Sequence, residues 1–193
     1  MVIDWSKVTF IGMGWTPGRV RDFYYLIEEL PVDVKVYVRE FRINPSMPGG
    51  TYDSSDHSIT WDAKEGSPAD IVFHEVGHHL IDSNQIPGGR ATLDKLFSRE
   101  YIEYLGLSNE AKDPEYKRYI QDESFASDFQ HYCFGKDDFM SAFNDEFGFG
   151  KTRFLLLNEV FPYRCDPHTE QWWKRNLPKM PPPSIPIRRD KYL

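Results

Sequence analysis

The feature that most constrains how this chain can fold is residues 71–82, an apolar stretch containing three histidines and a glutamate. Within it, His74, Glu75 and His78 form the pattern His-Glu-x-x-His. On a helix of 3.6 residues per turn, positions i and i+4 share one face, so both imidazoles can bind one metal ion. Glu75 lies about 100° further round, where it can reach a water on that metal. The spacing is typical of zinc peptidases and predicts a helix that holds a catalytic metal.

The residues around this pattern predict that the helix is buried. Ser67 can cap its start, Pro68 suits the first helical position, and Asp70 suits the positive end of the helix dipole. Apolar side chains would cover most of the remaining circumference: Ile71, Val72, Val76, Leu80 and Ile81. A helix that is apolar nearly all round belongs in a protein interior. Histidines and an acid inside it therefore need a function.

Composition excludes some classes of function. The chain has 193 residues, which predicts one domain, perhaps with a small appended lobe. A formal net charge of -7 argues against binding nucleic acid through a general basic surface. No apolar run reaches the ~18 residues of a membrane span, and the first ten residues lack the layout of a secretory leader. Either the protein is made without a leader or the leader has been removed. Cys133 and Cys165 could form one disulfide, and neither lies in a Cys-x-x-Cys pair.

Hydrophobic periodicity along the chain predicts an α+β fold, with a small mixed sheet packed on several helices. Strands are predicted at residues 8–11, 32–41, 51–53 and 58–61. Helices are predicted at residues 17–30, 68–82, 90–104, 114–134, 137–147 and 152–161. Residues 1–161 would form the main domain, and the proline-rich residues 162–193 an extension lying across it as a strap.

The predicted strand just before the metal helix has a possible function. Zinc peptidases commonly use the strand in that place to line the cleft and pair with an extended substrate, since an open edge offers backbone groups. Ser58, Ile59, Thr60 and Trp61 are therefore candidate substrate-binding residues. The alternative is an ordinary edge strand with Trp61 in the core.

A catalytic zinc site typically uses three protein ligands and a water, so one ligand is missing from the helix. His79 faces a different side, and no downstream His-x-x-Gly-x-x-His pattern follows. A glutamate from a later helix is the other common solution, and Glu123 is the predicted ligand. The expectation is one Zn²⁺ per chain, bound by His74, His78 and Glu123.

The stretch Glu-Ser-Phe-Ala-Ser-Asp-Phe that begins at Glu123, following a His-Glu-x-Gly-His helix, resembles the catalytic domain of anthrax lethal factor and its shorter relatives, the Pro-Pro endopeptidases. Gly49-Gly50-x-Tyr52 is similar to the hairpin that precedes the metal helix in that family. Lys151-Thr152 is similar to the start of its late helix. The resemblance covers about residues 30–160. It implies a zincin-like metalloprotease domain of the gluzincin type.

The resemblance also implies roles for single residues. Tyr116 stands seven residues before Glu123, where the family has the tyrosine that donates to the oxyanion. Tyr119 lies one turn before Glu123 on the same helix face, and packing is its plainer role. Asp82 stands where the family has an acid that could orient an imidazole. Ser127 occupies the place of a further acid found in some glutamate-ligand peptidases, and the role of the neighbouring Asp128 stays open.

The predicted function is zinc-dependent endopeptidase, with Glu75 as general base. From the resemblance, the substrate would be a peptide that contains proline, with Pro-Pro as the sharper expectation, and the enzyme would be exported. A monomer is also expected. One alternative is a zincin-like binding or regulatory module without proteolysis, although metal binding alone does not require Glu75. Another is an intracellular processing peptidase, which the missing leader favours. A further hypothesis places residues 181–183, Pro-Pro-Pro, in the cleft as a substrate mimic.

Overall fold

The structure, a computed structural model, describes residues 2–64, 67–142 and 148–188. Within these ranges the chain is an α+β protein with one five-stranded mixed sheet and eight α-helices. The strands are β1 Thr9–Ile11, β2 Glu40–Ile43, β3 Gly50–Asp53, β4 Ser58–Trp61 and β5 Ile187–Arg188. The α-helices are α1 Pro17–Glu28, α2 Pro68–Asp82, α3 Arg90–Leu96, α4 Arg99–Tyr104, α5 Pro114–Cys133, α6 Lys136–Ala142, α7 Phe149–Val160 and α8 Glu170–Asn176. Short 3-10 helices occupy Trp5–Lys7, Glu110–Lys112 and Leu177–Lys179.

The strand order in the sheet is β3-β4-β2-β1-β5. β1 pairs in parallel with both β2 and β5, and β2 pairs in parallel with β4. β3 runs antiparallel to β4 and forms one end of the sheet, beside α2. The α2 helix also packs on α1 and α5, so it lies between the sheet edge and the longest helix.

The prediction that β4 is an open edge strand is wrong. Ile59 pairs with Phe41 on one side and with Tyr52 on the other. Ser58, Ile59 and Trp61 are also buried. Because the backbone of β4 is already paired in both directions, Ser58, Ile59, Thr60 and Trp61 cannot pair with a substrate strand. The edge strand on this side of the sheet is β3.

The strand predicted at residues 32–41 is also displaced, because regular pairing begins only at Glu40. Residues 32–39 are extended with valines alternately buried, which explains the period of two. Their amides bond elsewhere: the Lys35 N–H donates to the Gln85 side chain and the Tyr37 N–H to the His79 ring. Alternating apolar residues indicate that one face of a segment is buried, but they do not indicate whether a neighbouring strand pairs with it.

The helix predictions need three adjustments. Residues 90–104 form two helices, α3 and α4, because the Ser98 side chain caps a new start by accepting the Tyr101 N–H. The α7 helix begins at Phe149, three residues before the predicted start. The α6 helix covers the first part of the predicted 137–147 segment, and residues 143–147 lie outside the described residues.

The core is rich in aromatic side chains. Phe10, Phe23 and Phe41 are fully buried and pack together with Trp15 between α1 and the sheet. Cys133 is buried and Cys165 is exposed, and both are free, so the suggested disulfide is not formed. Among the described helices, none combines the length and apolarity needed to cross a membrane.

The proline-rich tail belongs to the same packing unit as the rest of the chain. Trp173 and Leu177 are buried in the common core, and the Trp173 ring lies 6.3 Å from that of Phe73. Past the prolines, β5 adds to the sheet beside β1. The described tail is therefore a strap across the domain, and the boundary expected at residue 161 does not separate two cores.

Candidate metal centre

The α2 helix starts as its sequence predicts. The Ser67 hydroxyl accepts the Asp70 N–H at 3.2 Å, the Asp70 carboxylate accepts the Ser67 N–H at 3.2 Å, and Pro68 occupies the first turn. This reciprocal cap fixes where the helix begins. His74 and His78 consequently lie one turn apart on one face, with their Nε2 atoms 3.2 Å apart.

Glu123 of α5 meets these two imidazoles. Its carboxylate oxygens lie 3.6 Å from His74 Nε2 and 3.5 Å from His78 Nε2. Tetrahedral zinc with ligand bonds of about 2.0–2.2 Å separates its donor atoms by about 3.3–3.6 Å. The three donors therefore fit a single zinc ion in both spacing and chemistry. Among the described residues this is also the single group of three or more His, Cys, Asp or Glu side chains close enough to share an ion.

The protonation state of His74 favours metal binding. Burial lowers the pKa of His74 to about 4, and the nearby His78 and His131 add smaller effects in the same direction. His74 is therefore neutral at pH 7, and the neutral imidazole is the form that binds metals.

Gly77 sets the distance between the two helices that carry the ligands. A Cβ at this position would lie 2.7 Å from the Ala126 Cα on α5, closer than real Cβ atoms come. Glycine therefore allows the backbones of α2 and α5 to approach until Glu123 reaches the imidazoles. Of the two residues between Glu75 and His78, Gly77 is the one that faces α5 in this way, so it is the one that must lack a side chain.

Glu75 is a buried acid without a full set of partners. It is 2% exposed, and within the described residues its Oε2 atom has no hydrogen-bond partner. Burial raises the pKa of Glu75 to about 8, the Glu123 carboxylate adds to that rise, and the Tyr52 backbone N–H opposes it. The absence of a side chain at Gly50 makes room for it, since a Cβ there would lie 2.7 Å from Glu75 Oε1.

The ligand cluster opens into a cleft of about 290 Å³. One wall is the edge strand β3 and the other is the first half of α5, with α2 as the floor. The lining residues are Gly50, Thr51, Tyr52, His74, Glu75, His78, Asp82, Tyr119, Asp122 and Glu123. None of the predicted substrate-binding residues of β4 is among them, and β3 takes their place.

The two tyrosines of α5 differ from expectation. Tyr119 lines the cleft, whereas Tyr116 is not among its lining residues. Their rings lie 6.2 Å apart, and both are exposed, Tyr116 by 41% and Tyr119 by 58%. The oxyanion role of Tyr116 stays a prediction. Tyr119 is the alternative candidate, because it lines the cleft.

Asp82 lines the cleft. Within the described residues, however, no hydrogen bond joins it to His74 or His78. Its charge acts on Tyr52 instead, where it adds to the effect of burial in raising the pKa of that phenol to about 12. Its predicted role in orienting an imidazole stays a prediction.

The role of Asp128, which the sequence left open, is structural. Asp128 is 1% exposed and forms a hydrogen-bonded ion pair with Arg153 of α7. The Arg153 guanidinium also lies over the Tyr101 ring, 4.2 Å from its centroid. This contact ties α7 and α4 to α5, behind the helix face that carries Glu123.

The described tail does not enter the cleft. β5 pairs with β1 at the end of the sheet opposite β3, and none of the prolines at positions 181–183 lines the cleft. The hypothesis that these prolines occupy the cleft as a substrate mimic is therefore wrong.

Two functional candidates were missed from sequence, Tyr52 and His79. Tyr52 lines the cleft, and His79 is fully buried beneath it and contacts the Tyr52 hydroxyl. The available signal was spacing: His79 follows Glu75 by four residues, as His78 follows His74.

Comparison with known proteins gives no relative: no protein-family model, no curated protein and no solved structure matches this chain. The function therefore has to be argued from the residues of the site.

Proposed function

We propose that this chain is a zinc-dependent endopeptidase with a zincin-like catalytic domain. The observation that carries the proposal is the cluster of His74, His78 and Glu123, whose donor atoms lie 3.2 to 3.6 Å apart. Glu75, a buried acid with an unpartnered oxygen, lies beside this cluster on the cleft. Metal binding by itself does not need such an acid, so its presence favours hydrolysis over simple binding.

His74, His78 and Glu123 would hold the ion, and bound zinc would supply Lewis acidity and bring the pKa of a coordinated water to about 7. Glu75 accepts a proton at its unpartnered oxygen and returns it to the leaving nitrogen of the cleaved peptide bond.

A tyrosine hydroxyl from α5 would donate a hydrogen bond to the developing oxyanion. The family resemblance selects Tyr116, and the lining of the cleft selects Tyr119. The variants Tyr116→Phe and Tyr119→Phe decide between them. Loss of the true donor lowers kcat by about 100- to 1000-fold, and loss of the other hydroxyl leaves it nearly unchanged.

The substrate class follows from the edge strand. Among the described strands β3 pairs only with β4, so an extended peptide can add alongside it across the cleft from Tyr119. The resemblance to the Pro-Pro endopeptidases supplies the further expectation of proline at the cleavage point. A peptide library with Pro-Pro fixed at its centre tests this, and equal cleavage of peptides without proline would remove the expectation.

The proposal is tested by zinc analysis of the purified protein together with peptide cleavage before and after chelation. We expect about one zinc per chain, loss of cleavage with the chelator, and recovery on adding zinc back. His74→Ala should lose both zinc and activity. His168→Ala is the matched control, because the His168 ring stacks on the Trp172 ring, with centroids 3.4 Å apart, and His168 does not line the cleft.

Two results would contradict the proposal. Protein without zinc, and without affinity for added zinc, would remove the metal centre. Protein with one zinc at this site but no cleavage of any library peptide would favour the binding or regulatory module.

A further inference from the structure

The α2 helix presents a second pair of side chains one turn apart, Glu75 and His79, beside the metal-binding pair. His79 is fully buried, and its ring contacts three separate parts of the chain. Its Nδ1 lies 3.0 Å from the Tyr52 hydroxyl on β3, and its Nε2 accepts the Tyr37 N–H at 3.2 Å. The Tyr52 ring packs edge-on against it, with centroids 5.3 Å apart. His79 therefore joins the metal helix to the edge strand.

One tautomer of His79 satisfies every donor around it. If Nε2 accepts the Tyr37 N–H, the proton is on Nδ1, which donates to the Tyr52 oxygen. The Tyr52 O–H can then donate to His57 Nδ1, 3.1 Å away. The Lys35 carbonyl, 3.1 Å from Nε2, accepts the Gln85 side-chain amide at 2.6 Å instead. The opposite tautomer would point an N–H at the Tyr37 N–H.

β3 is consequently held to α2 at two points. The Tyr52 hydroxyl bonds to His79, and Glu75 Oε1 lies against Gly50, where a Cβ would be 2.7 Å away; the Tyr52 backbone N–H also acts on the Glu75 carboxylate. The residues of β3 that line the cleft are Gly50, Thr51 and Tyr52. The register of the edge strand relative to Glu75 is therefore fixed by two residues of α2 that are one turn apart.

We propose that His79 and Tyr52 are positioning residues, which lock the edge strand β3 against α2 so that Glu75 and the strand that pairs with the substrate keep one geometry. The link to turnover rests on the proposed peptidase function. The lock itself does not, because it is a property of the hydrogen bonds between α2 and β3.

Two variants of His79 distinguish the bond of its Nδ1 to the Tyr52 hydroxyl from the bond of its Nε2 to the Tyr37 N–H. In His79→Asn the amide stands at the same distance along the side chain as Nδ1 and can still bond Tyr52. In His79→Gln the amide stands where Nε2 was and can still accept the Tyr37 N–H. Each variant loses one buried hydrogen bond, so both should unfold at similarly reduced temperatures.

The experiment compares these variants, together with Tyr52→Phe, by amide hydrogen exchange of residues 50–53 and by peptidase kinetics. We expect faster exchange in β3 and a kcat reduced about tenfold or more in His79→Gln and Tyr52→Phe, with KM changed less than kcat. His79→Asn should keep near-native exchange and kcat. Tyr37→Phe is the control, because the Tyr37 ring packs on His79 while its side chain is exposed.

Equal losses of kcat in His79→Asn and His79→Gln would overturn the proposal, since a purely structural contact would affect both alike. Unchanged β3 exchange in His79→Gln and Tyr52→Phe would also overturn it. If the native protein cleaves no peptide, the proposed function fails, and hydrogen exchange alone still decides whether the lock exists.

Discussion

Two carboxylates in this protein are almost equally buried, and they differ in what surrounds them. Asp128 of α5 is 1% exposed and has the Arg153 guanidinium as its partner. Glu75 of α2 is 2% exposed, and among the described residues no side chain or backbone group bonds its Oε2. Burying a carboxylate without a partner is unfavourable. Asp128 therefore contributes to the fold, whereas Glu75 lines the cleft with an unpartnered oxygen, which the proposed mechanism uses to accept a proton.

The comparison predicts opposite results from matched amide substitutions, and the largest expected effect is on turnover. Glu75→Gln keeps the shape of the side chain and removes the group that accepts the proton. Cleavage should fall by about 100- to 10,000-fold, because that is the usual contribution of a general base. Zinc content should stay at one per chain, and the unfolding temperature should hold or rise. Native-rate cleavage by this variant would show that Glu75 is not the base.

The same change at Asp128 should act on stability. Asp128→Asn removes the carboxylate charge from the buried ion pair with Arg153, and breaking a buried ion pair typically costs about 3–5 kcal/mol of unfolding free energy. Urea denaturation measures the loss. The double variant Asp128→Leu with Arg153→Met removes both charges and should recover most of it. If Asp128→Asn is as stable as the native protein, the contrast between the two carboxylates is wrong.

A third test concerns the contact between α2, which carries Glu75, and α5, which carries Asp128. Gly77→Ala places a methyl group 2.7 Å from the Ala126 Cα, so α2 and α5 must separate. Overpacking of this kind costs about 1–3 kcal/mol, and zinc affinity should fall because Glu123 moves with α5. Gly18→Ala is the control, since a Cβ there would have only ordinary contacts at 3.7 Å or more. Unaltered zinc affinity in Gly77→Ala would mean that the helix distance does not set the metal site.

A fourth test, whose effect is spread over several pH units, is the dependence of stability on pH in the metal-free protein. The pKa values of His74 and His79 are lowered from 6.5 to about 4, chiefly by burial. Between those pH values the unfolded chain binds protons that the folded chain does not, so stability is lost as the pH falls from 6.5.

Glu75 acts in the other direction. Its pKa is raised from 4.5 to about 8, so the folded protein holds a proton that the unfolded chain has released, and stability falls as the pH rises through that window. Together the three groups predict greatest stability near pH 6.5, where the gain from the two histidines ends and the loss from Glu75 continues. Urea unfolding from about pH 4 to 8 measures the profile, and Glu75→Gln should remove the loss above pH 6.5 and steepen the rise below it. A flat profile from pH 4 to 6.5 would contradict the histidine assignment.

Sequence was a good guide to elements whose signals are local. The cap at Ser67, the extent of α2 and the start of α5 after Asp113 depend on residues close together in the chain, and they are present as predicted. The close approach of Glu123 to His74 and His78 was predicted by choosing a glutamate from a later helix, a choice that the family resemblance then supported and that spacing alone did not give. Helix packing over the interval between them is not encoded in any short pattern.

The errors concern neighbours across the fold. The alternation of residues 32–39 indicated one buried face correctly, but the partners of that segment are side chains such as His79, which periodicity does not reveal. β4 was placed at an edge from its order in the chain, and parallel pairing with β2 puts it inside the sheet. Sheet order depends on long-range pairing, so the edge strand beside the cluster of His74, His78 and Glu123, which is β3, could be identified only in the structure.

The most direct test of the central claim is anomalous diffraction at the zinc edge from crystals grown with zinc. The account predicts one strong peak among the Nε2 atoms of His74 and His78 and the Glu123 carboxylate, about 2.0–2.2 Å from each donor. No peak at that position, or a peak there with the Glu123 carboxylate turned away, would contradict it.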